Sequence, residues 1–189
     1  MAEKNLSRLP EKNKQRIEAL AKNAGVKLHE CYQCGKCSAG CPMAASMDLT
    51  PRQVLRYLQL GLLDEALHSR GPWMCATCST CSARCPHDVP IAELMEEVRQ
   101  QANRMGIRPV RRAYLFTEDF LLPVRWFGKA HELTLTMFYN LTSGRPLQHF
   151  SYLPAMLKGH KLKMLPARVK NRAAVQRLMK NCEKEAERI

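Results

Sequence analysis

Eight of the nine cysteines of this chain fall into two groups with the same internal spacing. Cys31-x2-Cys34-x2-Cys37-x3-Cys41-Pro42 recurs as Cys75-x2-Cys78-x2-Cys81-x3-Cys85-Pro86. Three thiolates on a tight loop can hold three corners of an iron–sulfur cube. The fourth, on backbone that turns away into a helix, points to a neighbouring cube, the pattern of bacterial two-cluster ferredoxins. The spacing therefore predicts two [4Fe–4S] clusters, one on Cys31, Cys34, Cys37 and Cys85, the other on Cys75, Cys78, Cys81 and Cys41. Cys37 and Cys41 are one helical turn apart, about 6 Å of rise. With metal–ligand bonds and side-chain reach added, the clusters are expected roughly a dozen Å apart, close enough for one-electron exchange.

Two other uses of the cysteines fit less well. Structural zinc takes paired CxxC units at tetrahedral sites, not four cysteines within 11 residues ending in Cys-Pro. A disulfide scaffold belongs to small secreted chains. The polar N-terminus MAEKNLSRLPEKNKQ lacks the apolar core of a signal peptide, and no apolar run reaches the 18 residues of a spanning helix. A soluble cytoplasmic protein without a membrane span is expected.

Gly35 and Gly40 can let backbone N–H groups approach the first cluster, and the second group offers hydroxyls from Thr77, Ser79, Thr80 and Ser82; the preferred reading is that these small residues simply fit a tight loop. His29 and His87 flank the groups and read as ordinary polar neighbours, since eight cysteines already complete two clusters. Cys182, the ninth cysteine, is expected to be a buried packing thiol on the last helix.

The 33 residues between the groups read as helix rather than as the paired strands of a small ferredoxin. Thr50-Pro51 looks like an N-cap followed by proline at the first helical position. Val54, Leu55, Leu58 and Leu62 follow at helical spacing, and Asp64–Leu67 begins another short helix. Before the first group, residues 10–24 form a helix with Ile17, Leu20, Ala21 and Ala24 on one face, stopped at Gly25. After the second, Asp88 and Pro90 open a helix whose face is Ile91, Leu94, Met95, Val98, Ala102 and Met105, ended by Gly106. The predicted fold is all-α, a helical ferredoxin-type domain over residues 1–106 with an extended helical C-terminal arm over 107–189.

Charge separates the two parts. Residues 1–100 carry 13 basic and 11 acidic side chains, and residues 101–189 carry 17 and 6. No carboxylate side chain occurs from Leu133 to Cys182, while nine of the 12 aromatic residues lie between Tyr114 and Tyr152. Pro109, Pro123, Pro146, Pro154 and Pro166 are expected to cut the arm into short pieces. A last amphipathic helix from about Pro166 would place Val175, Leu178, Met179, Cys182, Ala186 and Ile189 on one face. Aromatics and arginines are the usual anchors of interfaces, so Phe116, Phe120, Trp126, Phe127, Phe138 and Phe150, with basic residues from Arg145, Lys158, Lys161, Lys163 and Arg168 to Lys170, Arg172, Arg177 and Lys180, are expected to grip partner subunits.

CYQCGKCSAGCP, DLTPRQVLRYLQLGLLDEAL and WMCATCSTCSARCPHDVPI, with LTLTMFYNLTSG and GHKLKMLPARVK in the tail, resemble the C subunit of heterodisulfide reductase. The resemblance implies a non-catalytic electron-transfer role. The chain would relay single electrons from an A-like, flavin-containing iron–sulfur protein to a B-like protein whose CCG-motif clusters reduce a disulfide. The cysteine groups alone also match iron–sulfur subunits of other respiratory or sulfur-metabolising oxidoreductases. A regulatory or nucleic-acid-binding protein is the remote alternative: the charge is basic, but the chain shows no recognised nucleic-acid motif. It also shows no Gly-rich dinucleotide fingerprint and no radical-enzyme CxxxCxxC. No catalytic residues and no nucleic-acid partner are therefore expected.

Overall fold

The computed structural model describes residues 11–144, 158 and 169–188, and among these every regular element is helical. The chain divides into two compact units, Met1–Val110 and Arg111–Ile189.

The first unit is organised by apolar stripes at helical period. Helix α1 (Glu11–Asn23) turns Ile17, Leu20 and Ala21 inward and ends where Gly25 adopts φ +65°. After the first cysteine loop and its short α2 (Lys36–Ala39), α3 (Pro51–Gln59) starts as the sequence predicts. The Gln53 side-chain carbonyl accepts from both the Thr50 N–H (2.9 Å) and its hydroxyl (2.8 Å), satisfying a donor that a helix start leaves over. Helix α3, with Val54, Leu55 and Leu58 buried, packs on α4 (Leu63–His68), with Leu63, Ala66 and Leu67 buried. The short α5 (Gly71–Met74), which no periodicity announces, adds Trp73. A Cβ at Gly71 would run into the Leu49 carbonyl oxygen, so only glycine fits there.

The second cysteine loop ends in α6 (Thr80–Ala83), and α7 (Ile91–Arg104) forms the spine on which α1, α3, α4 and α5 pack. Ile91, Leu94, Met95, Val98 and Ala102 of α7 are buried. Met105 is not part of that face: it caps the helix end and is 44% exposed, because the chain turns there into Gly106 at φ +71°. Leu55 and Leu94 have no exposed surface, and full burial of such a side chain stabilises by about 1.5–3 kcal/mol.

In the second unit, α8 (Arg111–Phe127) runs unbroken through Pro123, contrary to the expectation that this proline divides the arm. Interior proline costs about 3 kcal/mol, offset here by packing: Pro123 is buried, and one turn before it the buried Asp119 carboxylate accepts from the Thr142 hydroxyl (2.5 Å) on α9 (Glu132–Thr142). Ring contacts join the same helices, Phe116 to Tyr139 at 5.7 Å and Trp126 to Phe138 at 5.3 Å.

The last helix, α10 (Arg172–Arg188), begins later than Pro166, at a point where the Asn171 side chain accepts from the Ala174 N–H (3.1 Å). It meets α8 through Gln176 Nε2 on the Arg125 carbonyl (3.1 Å) and an Arg125–Glu183 ion pair. Both anchors are polar, so its apolar stripe has little cover: Leu178 is 64% exposed and Cys182 is an exposed thiol rather than the buried one expected. Arg145, Phe150, Tyr152, Lys161, Lys163 and Arg168, the prolines at 146, 154 and 166, Pro10, and the side chains of Ala186 and Ile189 lie outside the described residues. Among the described residues no helix is long and apolar enough to cross a membrane.

Candidate functional site

The two cysteine groups fold as copies of one loop. Gln33 and Gly35 take φ of +64° and +86°, and the matching Thr77 and Ser79 take +50° and +54°. Three non-glycine residues in this sparsely allowed region cost about 1–2 kcal/mol each. Burial repeats as well. Cys37 and Cys81 are buried, Cys34 and Cys78 exposed, and the remaining four between these extremes.

A serine follows each buried cysteine and does the same work in both copies. Ser38 Oγ accepts from the Arg52 N–H in the first turn of α3 (3.0 Å), and Ser82 Oγ accepts from the Ala92 N–H in the first turn of α7 (3.0 Å). Each loop is thereby tied to the helix that follows it, and one orphan donor of each helix is satisfied.

Four of the cysteines line one cavity: Cys75, Cys78 and Cys81 from the second loop and Cys41 from the first, beside Pro42 and Thr80. On the other side, Tyr32 lies within electrostatic range of Cys34, Cys85 and Cys31, and its pKa is raised by desolvation and by these thiols. The Tyr32 ring meets His87, two residues after Cys85, edge-on at 4.9 Å. The fourth cysteine of the first group thus sits with the second loop. Among the described residues no three His, Cys, Asp or Glu side chains close around a point as a single ion requires.

Three of the thiols are poorly placed to remain thiolates on their own. Burial pushes Cys37 and Cys75 up and Cys81 to about 11, with backbone or side-chain bonds from Ser38, Thr77 and Ser82 pulling the other way. Exposed Cys78 is instead lowered by its bond to Thr80. A coordinating metal deprotonates such thiols outright, and the eight-cysteine donor set suits iron–sulfur cubes, which are held by thiolates alone.

Several features carry no signature in the sequence pattern. Asp48 clamps the segment after Cys41 to the segment before Cys75: its carboxylate accepts from the N–H groups of Leu49 (2.7 Å), Arg70 (2.8 Å) and Gly71 (2.9 Å). Burial pushes that carboxyl up, but the three backbone donors outweigh it and hold it below its usual range. Gln59 braces the first loop, donating to the carbonyls of Leu28 (2.7 Å) and Cys31 (2.9 Å). Gly40 leaves room for the Arg84 side chain, which lies where its Cβ would be. His29 lines an apolar groove with Leu28, Leu58 and Gln59.

Residues 27–89 match the family described as "4Fe-4S dicluster domain". The chain is 41% identical over 81 residues to the iron–sulfur C subunit of the CoB–CoM heterodisulfide reductase of Methanopyrus kandleri, covering 43% of this chain and 42% of that one. It is 34% identical over 104 residues to the C subunit of the H2:CoB–CoM heterodisulfide, ferredoxin reductase of Methanothermobacter thermautotrophicus, 55% of this chain and 56% of that one. A third relative, the iron–sulfur protein designated C 2 in the CoB–CoM heterodisulfide reductase of Methanocaldococcus jannaschii, is 45% identical over 76 residues, 40% of each chain. The chain spans about half the length of these curated relatives. Its cofactors are two [4Fe–4S] clusters.

Proposed function

We propose that this chain is the electron-relay subunit of a heterodisulfide reductase-like complex, a reading supported by the match of residues 27–89 to the 4Fe–4S dicluster domain and by the chain's likeness to the heterodisulfide reductase C subunit. Cys31, Cys34, Cys37 and Cys85 hold one cluster, and Cys75, Cys78, Cys81 and Cys41 the other. The observation that supports this reading is that Cys41 of the first group lines one cavity with Cys75, Cys78 and Cys81, as an exchange of fourth ligands requires. Such an exchange puts the two sites side by side, as a relay needs.

Each cluster, when bound, supplies a site that takes up or gives up one electron. The protein contributes position and access. The paired serines and Asp48 fix the loops to the helical core, and the exposed Cys34 and Cys78 bring each site to the surface, where partner sites can approach. A flavin-containing A-like protein on one side and a CCG-motif B-like protein on the other are the partners this role requires.

The arm, residues 107–189, serves to contact partner subunits. Phe116, Phe120, Trp126, Met137 and Leu141 are large apolar side chains left exposed on α8 and α9, in a part of the chain with a strong basic excess. Complementary acidic surface on a partner would steer docking and fix register more than it adds affinity.

Anaerobic affinity purification of the full-length chain from its own host tests this. Copurification with a flavoprotein and a CCG-motif protein is expected, with the isolated chain exchanging electrons with dyes but not reducing a disulfide. Disulfide turnover by the chain alone, or recovery with nucleic acid in place of protein partners, contradicts the relay.

A further inference from the structure

The residue before the fourth cysteine is Gly40 in one loop and Arg84 in the other. Both end a short helix, α2 and α6, and both hold nearly the same backbone angles, φ −95° and ψ 1° at Gly40 against φ −92° and ψ −3° at Arg84. An arginine holds that conformation in the second loop, so backbone strain does not call for glycine in the first. Space does. Helices α2 and α6 pack on each other, and a Cβ at Gly40 would stand 2.8 Å from Arg84 Cδ and 3.0 Å from Cζ, with Nη1 nearer still. The two equivalent positions face each other, and one side chain takes the room of both.

This packing sets one cation beside both cluster sites. Arg84 adjoins Cys85 in the chain, and its guanidinium lies against the backbone that adjoins Cys41. Each site takes one of these fourth cysteines, whether or not the loops exchange them. Arg99 and Arg104 of α7 are offset by Glu96 and Glu97. Arg84 has no ion-pair partner among the described residues. Reduction adds one negative charge to a site, and a fixed positive charge nearby favours the reduced state. The side chain is exposed, so water and salt weaken this attraction without cancelling it.

We propose that Arg84, admitted by Gly40, is a charge shared by the two cluster sites that raises both of their reduction potentials. It is not a ligand and acts through its charge beside Cys41 and Cys85. One cation serving both sites makes both easier to reduce while changing the step between them little, which suits a relay. The proposal rests on the reading that the eight cysteines hold two clusters, and its test separates the two.

The test is an anaerobic redox titration of the full-length, cluster-loaded chain at low and high salt, followed by electron paramagnetic resonance, with iron analysis of every variant. The wild type is expected to show two four-iron components. Arg84→Gln lowers both midpoints and leaves the iron content in place, whereas Arg84→Lys, which keeps the charge, retains most of both. Added salt narrows the gap between wild type and Arg84→Gln, as it must for an exposed charge. The three nearest atoms that a Cβ at position 40 meets all belong to the flexible Arg84 side chain. Gly40→Ala therefore displaces the guanidinium without breaking the loop, and it too lowers both midpoints. Combined with Arg84→Gln it adds nothing, because the charge it displaces is already gone. A wild type with fewer than two four-iron clusters overturns the two-cluster reading and the proposal with it. With two clusters in place, midpoints unmoved by Arg84→Gln or by Gly40→Ala, a shift confined to one component, or shifts that add in the double variant overturn Arg84 as the shared charge.

Discussion

Replacing Asp48 with alanine removes the acceptor for three backbone N–H groups, and their sequence separations decide what each is worth. The bond to Leu49 is local and can form in the unfolded chain. Those to Arg70 and Gly71, 22 and 23 residues away, exist only in the fold. A hydrogen bond to a charged group contributes about 1.5–3 kcal/mol, and the Asp48 side chain is 37% exposed, so water recovers part of the loss. Asp48→Ala is therefore expected to destabilise the cluster-loaded chain by about 2–3 kcal/mol, and Asp48→Asn, which keeps one acceptor oxygen, by roughly half of that. Arg70→Ala serves as control: its guanidinium stands 4.0 Å from the carboxylate at an exposed position, a pair worth about 0–1 kcal/mol. Anaerobic urea unfolding, followed by helical circular dichroism and by cluster absorbance, measures all three. The pH dependence has a definite sign. The folded carboxyl titrates below its usual range, so its contribution is complete above the unfolded value of about 3.9 and fades as pH falls through the lower folded value. The gap between wild type and Asp48→Ala is constant from neutral pH down to about 4 and closes only below it. A loss under about 0.5 kcal/mol at neutral pH, less than one ordinary hydrogen bond, would refute the clamp.

Leu55→Ala, at a position with no exposed surface, is expected to cost about 2–5 kcal/mol by the same urea assay. Cys182→Ala touches an exposed thiol outside both loops and is expected to leave the iron content unchanged, whereas Cys81→Ala, which removes a buried member of the second set, lowers it.

The helices that stand on sustained periodicity are legible in the amino-acid sequence. Thr50-Pro51 starts α3, and Ile91, Leu94, Met95, Val98 and Ala102 form the buried face of α7, because apolar burial at 3.6-residue spacing dominates local preference there. Local rules fail where a distant contact outweighs them. Pro123 signals a break, but α9 packs against α8 through Asp119 and Thr142 and the helix continues. Cys182 lies on an apolar stripe, yet polar contacts anchor its helix and leave the thiol exposed. For the site, spacing alone singles out the eight cysteines. The Asp48 clamp, the Gln59 brace and the Tyr32–His87 contact join residues far apart in the chain. Nothing in a one-dimensional pattern marks such pairs.

The chain's identity as a two-cluster protein is tested most directly by metal and sulfide analysis of anaerobically purified full-length protein. About eight irons and eight acid-labile sulfides per chain are expected, as two four-iron cubes require. One or two zinc ions per chain and no labile sulfide would contradict the account at its root.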